Sequence, residues 1–207
     1  MRRSGTIIVR GIVQGVGFRP FVYATAESLS IRGSVTNLGS EVLIHAEGEH
    51  FDDFLDAVRR GPRLAAIDEV IVSPLNGAIP DRFIIRESEA GSLSGLIPPD
   101  VAICDACIHD IYQADGRYFN YWATSCVDCG PRYSIIRALP YDRERTTMDH
   151  FPLCHSCEEE YWNPRSRRHH AQTIACATCG PSLTLMDQDG RSIPVANPIE
   201  KAAELLD

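Results

Sequence analysis

Apolar and polar positions alternate over Thr6-Ile7-Ile8-Val9-Arg10-Gly11-Ile12-Val13, which predicts a first strand. After Gly15-Val16-Gly17 the period changes. Val22, Ala26 and Leu29 stand at helical spacing within Phe18 to Leu29. Residues 33–36 and 41–45 read as two strands joined by Asn37-Leu38-Gly39-Ser40. Phe51, Phe54, Leu55 and Val58 fall at i, i+3, i+4 and i+7, an amphipathic helix that Gly61-Pro62 closes. Val70-Ile71-Val72 and Phe83-Ile84-Ile85 supply further strands. The order β-α-β-β-α-β, with a short final strand, predicts an α+β ferredoxin-like sandwich. One antiparallel sheet would carry two helices on one face, and about 90 residues suffice for such a core.

The pattern then breaks. Ser88-Glu89-Ala90-Gly91-Ser92-Leu93-Ser94-Gly95 is small, polar and glycine-rich, and reads as a linker. All eight cysteines lie between Cys104 and Cys179. The expected division is therefore a first domain over 1–91, a cysteine-bearing domain over 92–187 and a last stretch over 188–207. That stretch follows a polar turn, Asp187-Gln188-Asp189-Gly190, and starts a helix from Ile199 to Leu206. So short a terminal helix is marginal in isolation. It is expected to be the entrance to a further domain.

Composition narrows the classes. Hydrophobic residues make up 44% and charged residues 23%, which excludes a wholly disordered or fibrous chain. No apolar run approaches the length of a membrane span. Met1-Arg2-Arg3-Ser4-Gly5 has no apolar h-region after it, so a cytoplasmic location is expected, with no membrane partner. The formal net charge of −8 argues against a nucleic-acid binder driven by bulk charge.

The cysteines form four Cys-x-x-Cys knuckles: Cys104/Cys107, Cys126/Cys129, Cys154/Cys157 and Cys176/Cys179. The whole unit repeats with a period of 50, and its surroundings repeat with it. Cys129-Gly130-Pro131 matches Cys179-Gly180-Pro181, Tyr112 matches Trp162, and Arg117 matches Arg167. This is an internal duplication. Two thiolates on one tight turn can occupy adjacent vertices of a tetrahedron around zinc, and a second knuckle closes the other two. Four thiolates leave no open position, so two structural zinc ions are expected. Each would contribute on the order of 10 kcal/mol to units too small to stabilise themselves by burial alone. Pairing of the first knuckle with the second, and the third with the fourth, is expected; spacing alone also admits an interleaved arrangement. Disulfides would need an oxidising compartment, for which there is no signal. His109, His150, His155, His169 and His170 are surplus to two filled sites and read as surface or core histidines. Arg165-Ser166-Arg167-Arg168-His169-His170 is a local basic run that could meet a nucleic acid, a phosphate-bearing ligand or a neighbouring domain.

The second chemical feature is the strand-to-helix loop. Glycines at 15 and 17 permit a tight turn, and the helix N-terminus adds exposed N–H groups and partial positive charge. With Arg19 as a forked cation, this makes a cradle for a small oxyanion. A bare Gly-x-Gly would mark only a turn. The longer string Gly11-Ile12-Val13-Gln14-Gly15-Val16-Gly17-Phe18-Arg19, in its βαββαβ setting, resembles the acylphosphatase family. The resemblance implies that Arg19 binds the substrate phosphate and that Asn37, after the second strand, orients the attacking water. It implies a phosphate-binding loop of Gln14, Gly15, Val16, Gly17, Phe18 and Arg19.

An acylphosphatase-like unit followed by a duplicated four-cysteine module resembles the HypF family of carbamoyltransferases that serve nickel–iron hydrogenase maturation. The stretches Cys129-Gly130-Pro131-Arg132-Tyr133-Ser134-Ile135-Ile136, Pro140-Tyr141-Asp142-Arg143 and Arg167-Arg168-His169-His170-Ala171-Gln172 carry that likeness. His169 departs from it, standing where an aromatic is expected. The resemblance implies hydrolysis of carbamoyl phosphate to carbamate and phosphate by the first domain. ATP would enter only in a YrdC-like domain beyond this chain, which forms carbamoyl adenylate, and transfer would be to a C-terminal cysteine of a HypE-type partner. The alternative is a stand-alone acylphosphatase whose zinc module binds a nucleic acid or a partner.

Overall fold

The computed structural model describes residues 2–89 and 96–206. Of the linker expected at 88–95 only Ser88 and Glu89 are described, and the boundary expected at 91/92 lies outside the described residues. The first unit runs β1 (Arg3–Ile12), α1 (Phe18–Ser28), β2 (Arg32–Leu38), β3 (Glu41–Gly48), α2 (Phe51–Arg60), β4 (Ala66–Ser73) and β5 (Phe83–Ile85). The sheet order is β4-β1-β3-β2-β5. The first four strands pair antiparallel, which is the expected ferredoxin-like sandwich, and β5 is added parallel to β2 at the edge.

Each element follows from its residues. In β3, Val42, Ile44 and Ala46 are buried while the residues between them are half-buried, the alternation that the pleat imposes. Phe18, Val22 and Ala26 of α1 and Phe51, Phe54, Leu55 and Val58 of α2 close over that face. Asp52 and Asp53 in the first turn of α2, and Arg59 and Arg60 in its last, complement the helix dipole. The strand expected at 70–72 is longer, because Ala66, Ile67 and Glu69 also pair with β1, although of residues 66–69 only Ile67 turns an apolar side chain to the core. An edge strand is held by its ladder, and that leaves no apolar signature.

The cysteine-bearing region contains α3 (Asp105–Tyr112), 3₁₀ turns over Arg143–Arg145 and Thr147–His150, and α4 (His155–Trp162). A small hairpin, β6 (Leu185–Met186) with β7 (Ser192–Ile193), and α5 (Pro198–Leu206) follow. The sequence period of 50 becomes structural. Asn120 and His170 both sit at φ 54, and their N–H groups donate to Ile111 O and Tyr161 O, each at 2.9 Å. The two repeats are not separate beads. Tyr118, Tyr121, Met148, Ala171, Ile174 and Ala175 form one core drawn from both. Among the described residues no helix is long and apolar enough to cross a membrane.

Candidate functional site

The loop between β1 and α1 holds Gly15 at φ 68 and Gly17 at φ 73, left-handed conformations that a side chain disfavours. Space for a side chain is tight as well. A Cβ at Gly15 would stand 3.0 Å from Pro98 Cγ, and one at Gly17 would stand 3.2 Å from Val127 Cβ. Val16 and Phe18 are buried and pin the loop to the core; the Val16 side chain belongs to that core and does not reach the cavity. Gln14, Gly15, Gly17, Phe18, Arg19 and Asn37 share one cavity of about 40 Å³. A single water needs about 10–15 Å³ of such space, so the cavity takes a few waters or one small anion.

Arg19, second residue of α1, has its side chain 11% exposed. Its Nη2 donates to Asp142 Oδ1 at 2.7 Å and its Nη1 to Ser88 Oγ at 3.3 Å. The Gln14 side chain is committed elsewhere. Its Nε2 donates to Gly39 O at 2.9 Å, and its Oε1 accepts the Tyr141 N–H at 2.9 Å. Gln14 therefore contributes main chain to the cavity, while its amide braces the β2–β3 turn against the cysteine-bearing region.

That region forms the second wall, which sequence reasoning missed. Val127, Arg132, Tyr141, His170, Gln172 and Thr173 all line the cavity. Buried Arg132 is the staple: its Nε donates to Gly15 O at 2.7 Å, its Nη2 to Val127 O at 2.7 Å and its Nη1 to Gly130 O at 2.8 Å. One guanidinium thus ties the glycine loop to the carbonyls of a cysteine knuckle. Asp100 accepts the Arg132 N–H at 2.7 Å, which holds its carboxyl below the usual carboxylate range. Burial pushes the Tyr141 phenol up to about 12, so it stands in the wall as a neutral hydroxyl. These residues lie between the knuckles with no metal to bind, and that surplus of polar side chains was the available signal.

His169, where an aromatic was expected, does an aromatic's work. It is 6% exposed, and its ring packs edge-on against Tyr23 of α1, centroids 5.4 Å apart. His170 packs on it at 4.6 Å. Burial pushes His169 down to about 4 and His170 down to about 3, with the His169 and Arg19 charges adding to the second shift and Asp142 opposing it. The unfolded chain, near 6.5, binds more protons in that window. Stability is therefore lost as pH falls from about 6.5 towards 4. A thermal-unfolding series across that range should show the loss, and His169→Phe should reduce it. An unchanged slope in the variant would remove His169 from the explanation.

The eight cysteines gather as Cys104, Cys107, Cys126 and Cys129, and as Cys154, Cys157, Cys176 and Cys179, with the Sγ atoms of each set within 4.8 Å of one another. The pairing is sequential. Neighbouring Sγ atoms are 3.8, 3.8 and 3.5 Å apart in the first set and 3.7, 3.9 and 3.5 Å in the second. A tetrahedron with sulfurs about 2.3 Å from its centre has edges of about 3.8 Å, so both sets fit a tetrahedral metal. All eight thiols are free. Two arginines of the basic run turn inward: Arg167 and Arg168 bond Cys107, Asp110 and Glu160 inside the module, while Arg165 stays exposed.

Comparison with known proteins follows these boundaries. Residues 5–85 match the acylphosphatase family, and residues 103–136 and 153–186 each match the HypF finger. The chain is 43% identical over 206 residues to the carbamoyltransferase HypF of Rhodobacter capsulatus, covering 97% of this chain and 28% of that protein. It is 46% identical over 69 residues to the acylphosphatase of Thermotoga petrophila, covering 77% of that protein. The crystal structure of full-length HypF in its phosphate- and nucleotide-bound form superposes with a TM-score of 0.90 at 35% identity, over all of this chain and 27% of that one. The chain thus spans little more than a quarter of the HypF proteins it matches over its whole length. On the strength of its acylphosphatase unit, its paired fingers and these matches, the chain belongs to the HypF family.

Proposed function

We propose that the loop at 14–19 binds the phosphoryl group of carbamoyl phosphate and that this unit hydrolyses it to carbamate and phosphate. The observation that supports this reading is the meeting of Arg19, Asn37 and the glycine loop around one small cavity. Main-chain N–H groups and the Arg19 guanidinium take the phosphoryl oxygens and stabilise the charge that spreads over them in the transition state. Asn37 holds a water in line. That water adds to phosphorus, the bond from phosphorus to the acyl oxygen breaks, and carbamate leaves as an anion while the water's proton passes to solvent. Carbamate is a good leaving group, and an amide cannot act as a base at neutral pH, so Asn37 is a positioning group. The test is phosphate release from carbamoyl phosphate by the purified chain. Asn37→Ala should lower kcat about 100-fold with little change in KM, because its contact is made to the water and not to the phosphate. A raised KM at constant kcat would instead make Asn37 a binding group.

The two cysteine clusters would each hold a structural zinc ion. Four soft thiolates, a closed tetrahedron and the HypF-finger match favour zinc. Thiolates kept for metal suit a reducing, cytoplasmic compartment. In the longer HypF proteins, carbamate would pass to ATP-dependent formation of a carbamoyl adenylate and then to a cysteine of a HypE-type partner. The carbamoyltransferase name carried by the relatives supports that destination.

A further inference from the structure

We infer that neither finger is a self-sufficient metal site: a wholly buried cysteine of each cluster is held by an arginine of the other finger. The inference rests on the reading that both clusters bind zinc. Arg117 lies between the knuckles of the first finger, yet its Nη1 donates to Cys157 Sγ of the second at 2.8 Å. Arg167 lies at the equivalent place in the second finger, yet its Nη1 donates to Cys107 Sγ of the first at 2.9 Å. Both receiving cysteines are wholly buried. The exchange continues one turn along each short helix. The other arm of Arg117 reaches Glu160 on α4, and the other arm of Arg167 reaches Asp110 on α3. Residues 110 and 160 stand 50 apart, as do 117 and 167, so the two forks obey the same internal symmetry as the knuckles.

The residues next to these arginines meet where the two repeats face each other. Tyr118 and Arg168 are also 50 apart, and the Arg168 guanidinium lies 3.8 Å over the Tyr118 ring. Paired bodies related by a two-fold bring equivalent positions together near the axis. The fingers therefore pack as a pseudo-dimer, and the arginine exchange is its polar contact. Arg168 adds an asymmetry: its Nη1 bonds Glu160 at 3.0 Å and its Nε bonds Ser125 O at 2.9 Å, so the centre of the module carries three arginines against two carboxylates.

The chemistry explains why a cation is needed there. Four thiolates around a divalent ion leave a net charge of −2, and a buried dianion is costly unless donors face it. A charge-assisted N–H···S bond lowers the basicity of the sulfur and shields it from protons and electrophiles. Arginine suits the place because one fork can serve a sulfur and a carboxylate at once. Partners that orient metal ligands typically alter metal affinity 10- to 100-fold. Here they act in trans.

The experiment uses the full chain loaded with two zinc ions, the stoichiometry being checked first by metal analysis. Zinc release to a chromogenic chelator is followed in time, and the exposed cysteines are trapped by alkylation and assigned by peptide mass spectrometry. Arg117→Ala is expected to speed release from Cys154, Cys157, Cys176 and Cys179 about 10- to 100-fold, with the first cluster changed less than about threefold. Arg167→Ala should speed release from the first cluster instead, by a smaller factor, because Arg168 Nη2 also lies 3.8 Å from Cys107 Sγ. Arg117→Lys, which keeps the charge and loses the fork, should fall between, and provides the reading if Arg117→Ala does not fold. Exposed Arg165→Ala should change neither cluster. Release that quickens in the mutated finger itself, or equally in both, overturns the exchange. A wild-type chain that binds no zinc overturns the metal reading instead, and the stoichiometry reveals it before any kinetics.

Discussion

Replacing Arg19 with alanine should abolish useful turnover of carbamoyl phosphate, lowering kcat/KM by roughly 10²–10³-fold or more. The size follows from what the guanidinium does. Removal of one preorganised donor from a developing oxyanion costs about 10²–10³-fold, and truncation of a buried charged partner costs about 2–5 kcal/mol. Nothing nearby can substitute. Arg132, the other guanidinium at the cavity, spends its donors on Gly15 O, Val127 O and Gly130 O. Arg19→Lys keeps the charge but loses the fork that Asp142 and Ser88 orient, and should recover only a small part of the activity. Phosphate release under saturating and subsaturating substrate measures both variants, with unfolding curves as the control for folding. Near-normal turnover by Arg19→Ala would refute the assignment of the phosphate site.

Removal of both zinc ions should unfold the finger module while the five-stranded sheet keeps its structure. Each site contributes on the order of 10 kcal/mol, far more than the small shared core of the fingers can replace. The sheet and its two helices have a separate core, built on Ile7, Val35, Ile44, Phe54 and their neighbours, and contain no cysteine. Amide hydrogen exchange separates the two events, since α3 and α4 lie in the finger module and the sheet strands do not. Chelation should abolish amide protection in α3 and α4, while it persists in β1, β2 and β3. Hydrolysis should fall as well, about tenfold or more, because the fingers supply Arg132 to Gly15 and Asp142 to Arg19. Retention of both α3 and α4 amide protection and activity after complete zinc loss would sink the structural role given to the metal.

The dependence of the first unit on the second could not have been read along the chain. Gln14, Gly15 and Arg19 are bonded by Tyr141, Arg132 and Asp142, more than a hundred residues away. No periodicity or spacing rule connects positions so far apart; only the docking of one unit on the other does. His169 shows the same limit. Its sequence position marks it as a departure from the family pattern, yet the ring of Tyr23 gives it an aromatic's role. The basic run at 165–170 read as able to meet a nucleic acid, a phosphate-bearing ligand or a neighbouring domain, and the fold turned two of its arginines inward to the thiols and carboxylates of the first finger.

By itself the sequence determined the sandwich, the knuckles and the tight glycine loop. Strand and helix periods, tight-turn glycines and ligand spacings are local constraints, and local geometry writes them into neighbouring residues. Tertiary structure alone decided the sequential pairing of the clusters, the trans placement of Arg117 and Arg167, and the closure of the cavity by the fingers. Those depend on which surfaces meet when two units bury their apolar faces together, and that energy belongs to no single stretch of chain.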